Sequence, residues 1–264
     1  MSDNMTDDVL LVSVEDGLAR ITLNRPTRLN AFDEALARRW EAVTAEVVAR
    51  DDVLAILLDA NGPAFCAGGD VAAMATGSGF GAGGIEALAH VINAGIRSLT
   101  ESSIPVVVAA QGTTAGGGLG ILLTGDYVVA GEGSRIGSIY ANMGLTPDLS
   151  VTEALSRAIG ERRALQLVLT DRLLTSAQAL DWGLVAEVVA DAEVKARAEE
   201  IARGWISGAA RAYGQAKRLI RSRPTRTAVE QLAEEARTIG EAYGTDEAQV
   251  RIQAFAAKSA AKTK

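Results

Sequence analysis

The stretch Ile104-Pro-Val-Val-Val-Ala-Ala-Gln-Gly-Thr-Thr-Ala-Gly-Gly-Gly-Leu-Gly120 decides how the rest of the chain is read. Val106–Ala110 is a continuous apolar run of strand length, the pattern of a strand buried on both faces. Gln111 and Gly112 end it, and Gly116, Gly117, Gly118 and Gly120 follow where a helix is expected from about Leu119. Glycines between a buried strand and a helix let the backbone pass close to a ligand. They also leave N–H groups free at the positive end of the helix dipole. That arrangement stabilises either a phosphate or a developing oxyanion. The phosphate versions fit poorly, because no Gly-Lys-Ser/Thr completes a P-loop and the glycine spacing is not G-x-G-x-x-G. Tight packing without function would account for the triplet taken alone.

Outward from this stretch, strands and helices alternate. Leu10–Val14 and Leu18–Leu23, joined around Asp16-Gly17, read as a β-hairpin, and Asp33 to Ala49 reads as a helix with Asp33 as its N-cap. Val53–Asp59 is a second buried-strand pattern, and Phe65 to Asp70 a short strand and tight turn. Thr76 to Gly84, rich in Gly and Ser, reads as a mobile loop, with a helix over Ile85–Glu101. Tyr127–Ala130 and Arg135–Ile139 are short strands. Helices are expected over Glu153–Ile159, Arg162–Val168 and Ser176–Trp182, then as three amphipathic segments from Asp191 onward. Strands alternating with helices, then helices alone, predict an α/β core with a helical C-terminal appendage and a boundary near residue 200.

Bulk properties narrow the function. The 264 residues are 48% hydrophobic and 22% charged, as in an ordinary soluble protein, and only 4% aromatic, so the core relies on small side chains. The net charge of −7 argues against nucleic-acid binding. A lone cysteine, Cys66, and a lone histidine, His90, leave no intrachain disulfide and no multi-His or multi-Cys metal site. Ser102–Gly125 carries no charge, but Pro105, Gln111, Gly112 and the glycine triplet break it as a membrane span. Met1 to Asp8 has no apolar core of a signal peptide, so a cytoplasmic protein without a membrane partner is expected.

A second glycine turn sharpens the reading. Ala64-Phe65-Cys66-Ala67-Gly68-Gly69-Asp70, followed by Gly112-x-x-x-Gly116-Gly117-Gly118, resembles the paired signature of the crotonase (enoyl-CoA hydratase/isomerase) superfamily. The likeness extends to Asn24-Arg25-Pro26-x-x-x-Asn30-Ala31, Gly144-Leu-Thr-Pro-Asp148 and Ala179-x-x-Trp182-Gly183-Leu184-Val185, in family order over residues 10 to 260. The resemblance implies a crotonase-like spiral of ββα units over residues 1–200, acting as the acyl-CoA-binding catalytic core. It further implies a helical C-terminal region over residues 201–264 that assembles a homotrimer or a dimer of trimers. The expected partner is an acyl-CoA thioester, with no separate cofactor because coenzyme A is part of the substrate.

By position in the resemblance, Gly69 and Gly117 supply the two N–H groups of an oxyanion hole for the thioester oxygen. Such preorganised donors act where enolate charge develops, and loss of one typically costs about 3–4 kcal/mol. Family hydratases use two glutamates, and those positions fall here on Gly120 and Tyr140. Neither is a carboxylate base. Asp148 matches a third position, used by ring-opening and double-bond isomerases and by a dehalogenase, and is the expected acid–base residue. One carboxylate suffices to move a proton between two carbons. Asp148 also stands where it could cap a helix over Ser150–Ile159.

Tyr140 is expected to line the acyl pocket, whether through a direct hydrogen bond or merely as a half-buried aromatic. Arg28, Leu29 and Ala31 match a segment that meets the nucleotide in relatives, and Phe255 and Lys258 match a C-terminal pair contributed there by a neighbouring subunit. Any one of these taken alone reads better as an ordinary surface or helix-end residue. His90 is expected at the pocket edge or surface, and Cys66 as a small buried residue. The reaction expected first is enoyl-CoA isomerisation. Hydration with one acid and a bound water, aspartyl-mediated dehalogenation or hydrolysis, and an acyl-CoA-binding pseudoenzyme are the alternatives.

Overall fold

Alternating apolar residues in Leu10–Glu15 (β1) and Leu18–Leu23 (β2) pair as an antiparallel hairpin, with Leu10 opposite Leu23 and Glu15 opposite Leu18. Asp16 and Gly17 make the two-residue turn at φ 49° and 81°, the left-handed geometry that matches strand twist. This is the computed structural model of the protein, and it describes residues 9–75 and 82–262. Glu34–Val48 (α1) follows, its N-cap Asp33 accepting the Leu36 N–H at 2.9 Å. Next come Ala55–Ala60 (β3), Val71–Ala75 (α2) and Ala82–Glu101 (α3). Val106–Ala110 (β4) and Thr113–Ala115 (β5) lead into Gly117–Leu122 (α4). Tyr127–Gly131 (β6) and Arg135–Gly137 (β7) precede Val151–Ile159 (α5) and Glu161–Thr170 (α6). Leu173–Thr175 (β8), Ser176–Trp182 (α7) and Glu187–Val189 (β9) complete the mixed region. Val194–Ser207 (α8), Ala210–Ser222 (α9), Ala228–Tyr243 (α10) and Asp246–Lys262 (α11) close the chain.

The strands form two layers. The main sheet runs β1-β2-β3-β4-β6-β9, parallel throughout except for the β1–β2 hairpin. The second runs β5-β7-β8, and two isolated parallel bridges, Phe32 with Gly69 and Cys66 with Thr114, extend its pairing backwards along the chain. Each turn of the chain therefore gives one long strand to the first layer, a short segment to the second, and then a helix. Phe32, Cys66–Gly69, β5 and β7 are the successive short segments. This is the expected spiral of ββα units.

Burial explains the strand sequences. Ile56 and Leu58 of β3 face a core with Leu36, Trp40, Ile96 and Leu99, whereas Ala55 and Leu57 face Val194, Ala198 and Ala202 of α8. Both faces of β3 and β4 are covered, so period-two alternation turns into an unbroken apolar run. The alanines of α8 let it lie close to the sheet, consistent with the low aromatic content.

Several boundaries differ from the sequence expectation. The loop expected over Thr76–Gly84 falls partly on residues 76–81, outside the described residues, and α3 already begins at Ala82. The C-terminal segments are four helices rather than three, because Gly208, the Arg223–Thr225 turn with Pro224, and Gly244 break the run. Residue 200 lies inside α8, which packs on the main sheet; the helices that leave the sheet are those from α9 onward.

Candidate active site

The second layer brings the two glycine turns together. Phe32 N–H donates to Gly68 O at 2.7 Å and Asp70 N–H to Phe32 O at 2.9 Å, while Ala115 N–H donates to Cys66 O at 3.0 Å. Gly68, at φ 102°, lies so near the triplet that a Cβ there would stand 2.9 Å from Ala115 O and 3.1 Å from Gly117 N. Only glycine accepts both that backbone geometry and that approach. Gly118 serves packing: a Cβ on it would collide with the Cys66 carbonyl.

Gly69 and Gly117 are thereby neighbours. Gly117 opens α4, where an N–H has no intrahelical acceptor, and Gly69 follows the left-handed Gly68. Neither N–H has a hydrogen-bond acceptor among the described residues. Two neighbouring unpaired donors, one of them at a helix start, can hold an oxyanion.

Tyr140 and Asp148 complete the cluster. Tyr140 is buried, and its hydroxyl would stand 3.7 Å from a Cβ on Gly117. That hydroxyl donates to Asp148 Oδ1 at 2.5 Å. The direct hydrogen-bonding role of Tyr140 is the one observed, and its acceptor is the catalytic candidate itself. Burial pushes the Asp148 carboxyl above the ordinary aspartate value, and the Tyr140 hydroxyl pulls it partly back. Burial first, and then the Asp148 charge, push the Tyr140 hydroxyl well above the usual phenol value. Asp148 does not cap α5. Ser150 holds the N-cap position, and only the backbone carbonyl of Asp148 bonds there, to Val151 N–H at 2.9 Å. The carboxyl bonds Tyr140 rather than the helix end.

The expected nucleotide segment lies against the same wall. Leu29 O accepts the Ala67 N–H at 3.0 Å, and Leu29 is 43% exposed in a left-handed conformation. Arg28 is exposed, and Ala31 is buried with its carbonyl bonded to the Arg25 guanidinium. Arg25 also pairs with Asp33 at 2.7 Å and with Asp70 at 3.1 Å, tying the segment to α1 and to the first glycine turn. Burial pushes the Asp70 carboxyl up, but the Ala73 N–H and Arg25 together hold it below its ordinary value. Arg25 as a clamp was not foreseen, although it stands in the Asn24-Arg25-Pro26 signature.

Phe255 and Lys258 stand apart, both exposed on α11, with Phe255 74% exposed. His90 is on the solvent face of α3, with Glu86 at 3.8 Å. Cys66 is fully buried; burial pushes its thiol up to about 12, and the thiol donates to Asn30 O at 3.2 Å. Among the described residues no group of three His, Cys, Asp or Glu side chains could hold a metal ion, and no helix is long and apolar enough to cross a membrane.

Two apolar neighbours of the donors were not foreseen. Leu149 packs over Gly117 and Gly120, and the Met74 methyl stands 2.5 Å from where a Cβ on Gly69 would be. Nothing in the type or spacing of either residue announces this.

Unpaired N–H donors and a carboxylate bonded to a buried tyrosine thus stand together at the second layer. Comparison with known proteins supplies the class. The family model described as "Enoyl-CoA hydratase/isomerase" matches residues 13–264, and the chain belongs to this family. It is 32% identical over 228 residues to the 1,2-epoxyphenylacetyl-CoA isomerase of Escherichia coli K12, covering 85% of this chain and 86% of that one. It is 31% identical over 255 residues to the short-chain-enoyl-CoA hydratase of Clostridium acetobutylicum, covering 94% and 95%. Among solved structures, the enoyl-CoA hydratase of Bacillus anthracis superposes with a TM-score of 0.88 at 25% identity, over 95% of this chain and 96% of that one.

Proposed function

We propose that the protein isomerises the double bond of an enoyl-CoA thioester. The observation that carries this reading is the Tyr140–Asp148 pair beside Gly117, a single carboxylate next to unpaired N–H donors. Gly69 and Gly117 hold the thioester oxygen. Asp148 removes a proton from C2 of a 3-enoyl chain, and the electron pair moves onto that oxygen as a dienolate. The same carboxyl returns the proton to C4 as the thioester carbonyl re-forms, leaving the double bond between C2 and C3. No atom is gained or lost, and no cofactor is needed beyond the coenzyme A of the substrate. The raised Asp148 carboxyl suits this shuttle, since it must both take and hold a proton.

Arg28, Leu29 and Ala31 receive the nucleotide. Phe255 and Lys258 reach the adenine end of a neighbouring subunit in a homotrimer or a dimer of trimers built through the C-terminal helices. That assembly is supported by the apolar residues α10 and α11 expose: Val229 at 77%, Ile239 at 71% and Phe255 at 74%. The enzyme works in the cytoplasm on acyl chains of lipid metabolism.

Assays of the wild type and Asp148→Asn with 3-enoyl- and 2-trans-enoyl-CoA test the reading. Isomerisation that falls about 10²- to 10⁴-fold in the variant is expected. The hydratase reading is favoured by the name of the Clostridium relative. Hydration as the sole reaction, undiminished in Asp148→Asn, would establish it and overturn ours.

A further inference from the structure

We propose that Leu149 keeps water away from the α- and β-carbons of the bound thioester, and so confines the site to proton transfer within the acyl chain. The inference rests on the isomerase reading above.

Leu149 is buried at 5% exposure, yet its backbone is left-handed at φ 51°, and Ser150 follows at φ 66°. A bulky side chain seldom adopts that conformation, and residues held in it gather at functional sites. Here it sets the isobutyl group down on α4. Gly117 and Gly120 are three apart and share one helix face. A Cβ on Gly117 would stand 2.8 Å from Leu149 Cδ1, and one on Gly120 would stand 2.8 Å from Leu149 Cβ and collide with its carbonyl. The two glycines are thus the floor that lets Leu149 descend.

The position beside Gly117 has two unlike walls. A Cβ there would meet the Leu149 methyl at 2.8 Å and Tyr140 Oη, already bonded to Asp148, at 3.7 Å. Met74 supplies a second methyl, beside Gly69. Hydration needs a water oxygen bonded to C3 while one of its protons goes to a base and C2 gains another. An ordered water needs two to four polar partners. Leu149 offers none with its side chain, and the Cys66 thiol beneath the loop is bonded to Asn30 O. The polar side chains that remain are Tyr140, bonded to Asp148 Oδ1, and the second oxygen of Asp148, which the proton shuttle uses.

The test compares the wild type, Leu149→Ala and Leu149→Met in two measurements. The first is the share of 3-hydroxyacyl-CoA among the products of enoyl-CoA. The second, which needs no turnover, is the ratio of dissociation constants for 2-methyl-branched and straight-chain acyl-CoA. In Leu149→Ala we expect the hydroxylated share to rise at least tenfold and the binding ratio to shift tenfold toward the branched chain. Leu149→Met, close in volume, keeps the wild-type values. Should Leu149→Ala not fold, Leu149→Gly carries the same test, because glycine accepts φ 51° without strain. A folded Leu149→Ala, or Leu149→Gly in its place, that leaves either quantity unchanged overturns the inference. A wild type that does not isomerise overturns the isomerase reading instead, and the binding ratio still reports on Leu149.

Discussion

The hydroxyl of Tyr140 donates to Oδ1 of Asp148 at 2.5 Å, joining a buried aromatic at the end of the second layer to a carboxyl on the turn before α5. The bond orients the carboxyl and stabilises its charged form, while burial opposes that charge. Asp148 is therefore a base whose strength depends on a neighbour eight residues away.

Tyr140→Phe should move the acidic limb of the kcat/KM–pH profile. The working form of Asp148 is the carboxylate, so activity falls as pH drops through its pKa. Burial already raises that value and the Tyr140 hydroxyl lowers it, so losing the hydroxyl leaves burial less opposed. The limb should shift to higher pH, with proton exchange at C2 in deuterated water as the readout. An unmoved limb would mean the pair does not tune the base.

Gly120→Glu should not turn the protein into a two-carboxylate hydratase. A Cβ at residue 120 would collide with the Leu149 carbonyl, so the turn must move before any carboxylate fits. Overpacking of this kind typically costs about 1–3 kcal/mol. We expect a lower urea midpoint and no gain in hydration; hydration without loss of stability would contradict the packing.

Lys217→Met should destabilise the protein by about 3–5 kcal/mol, the usual cost of breaking a buried pair. Lys217 is buried, with its ammonium donating to Leu99 O and Ile104 O at 2.7 Å each and standing 3.1 Å from Asp126. Removing it leaves two carbonyls without that donor. Burial lowers the Lys217 pKa, with Asp126 opposing. The unfolded chain therefore holds this proton to higher pH than the folded one, and stability from this group grows as pH rises toward 10.5. Urea denaturation at neutral and alkaline pH should show that rise in the wild type and its absence in the variant.

Cys66 should resist alkylation by iodoacetamide in the native protein and react once it is unfolded. It is fully buried, with a thiol pushed up to about 12, so almost no thiolate exists at neutral pH. Mass-spectrometric labelling with and without urea measures this. Rapid native labelling would mean the loop above it opens readily.

What the sequence by itself determined was the set of elements and the chemistry lost from them. Apolar runs at β3 and β4, Asp33 before α1 and the hairpin turn at Asp16-Gly17 are local signals, written in residues near the structure they specify. The two glycine turns, and the absence of carboxylates at 120 and 140, could likewise be read directly. The tertiary structure alone decided what those residues meet. Gly68 reaches Gly117 through parallel pairing of segments nearly fifty residues apart, which no local pattern encodes. Asp148 could also have capped α5 on sequence grounds, and only the fold shows its carboxyl bonded to Tyr140 instead. Leu149 is the furthest from legible. Its left-handed backbone runs against the local preference of leucine, and is held where Gly117 and Gly120 leave room for it.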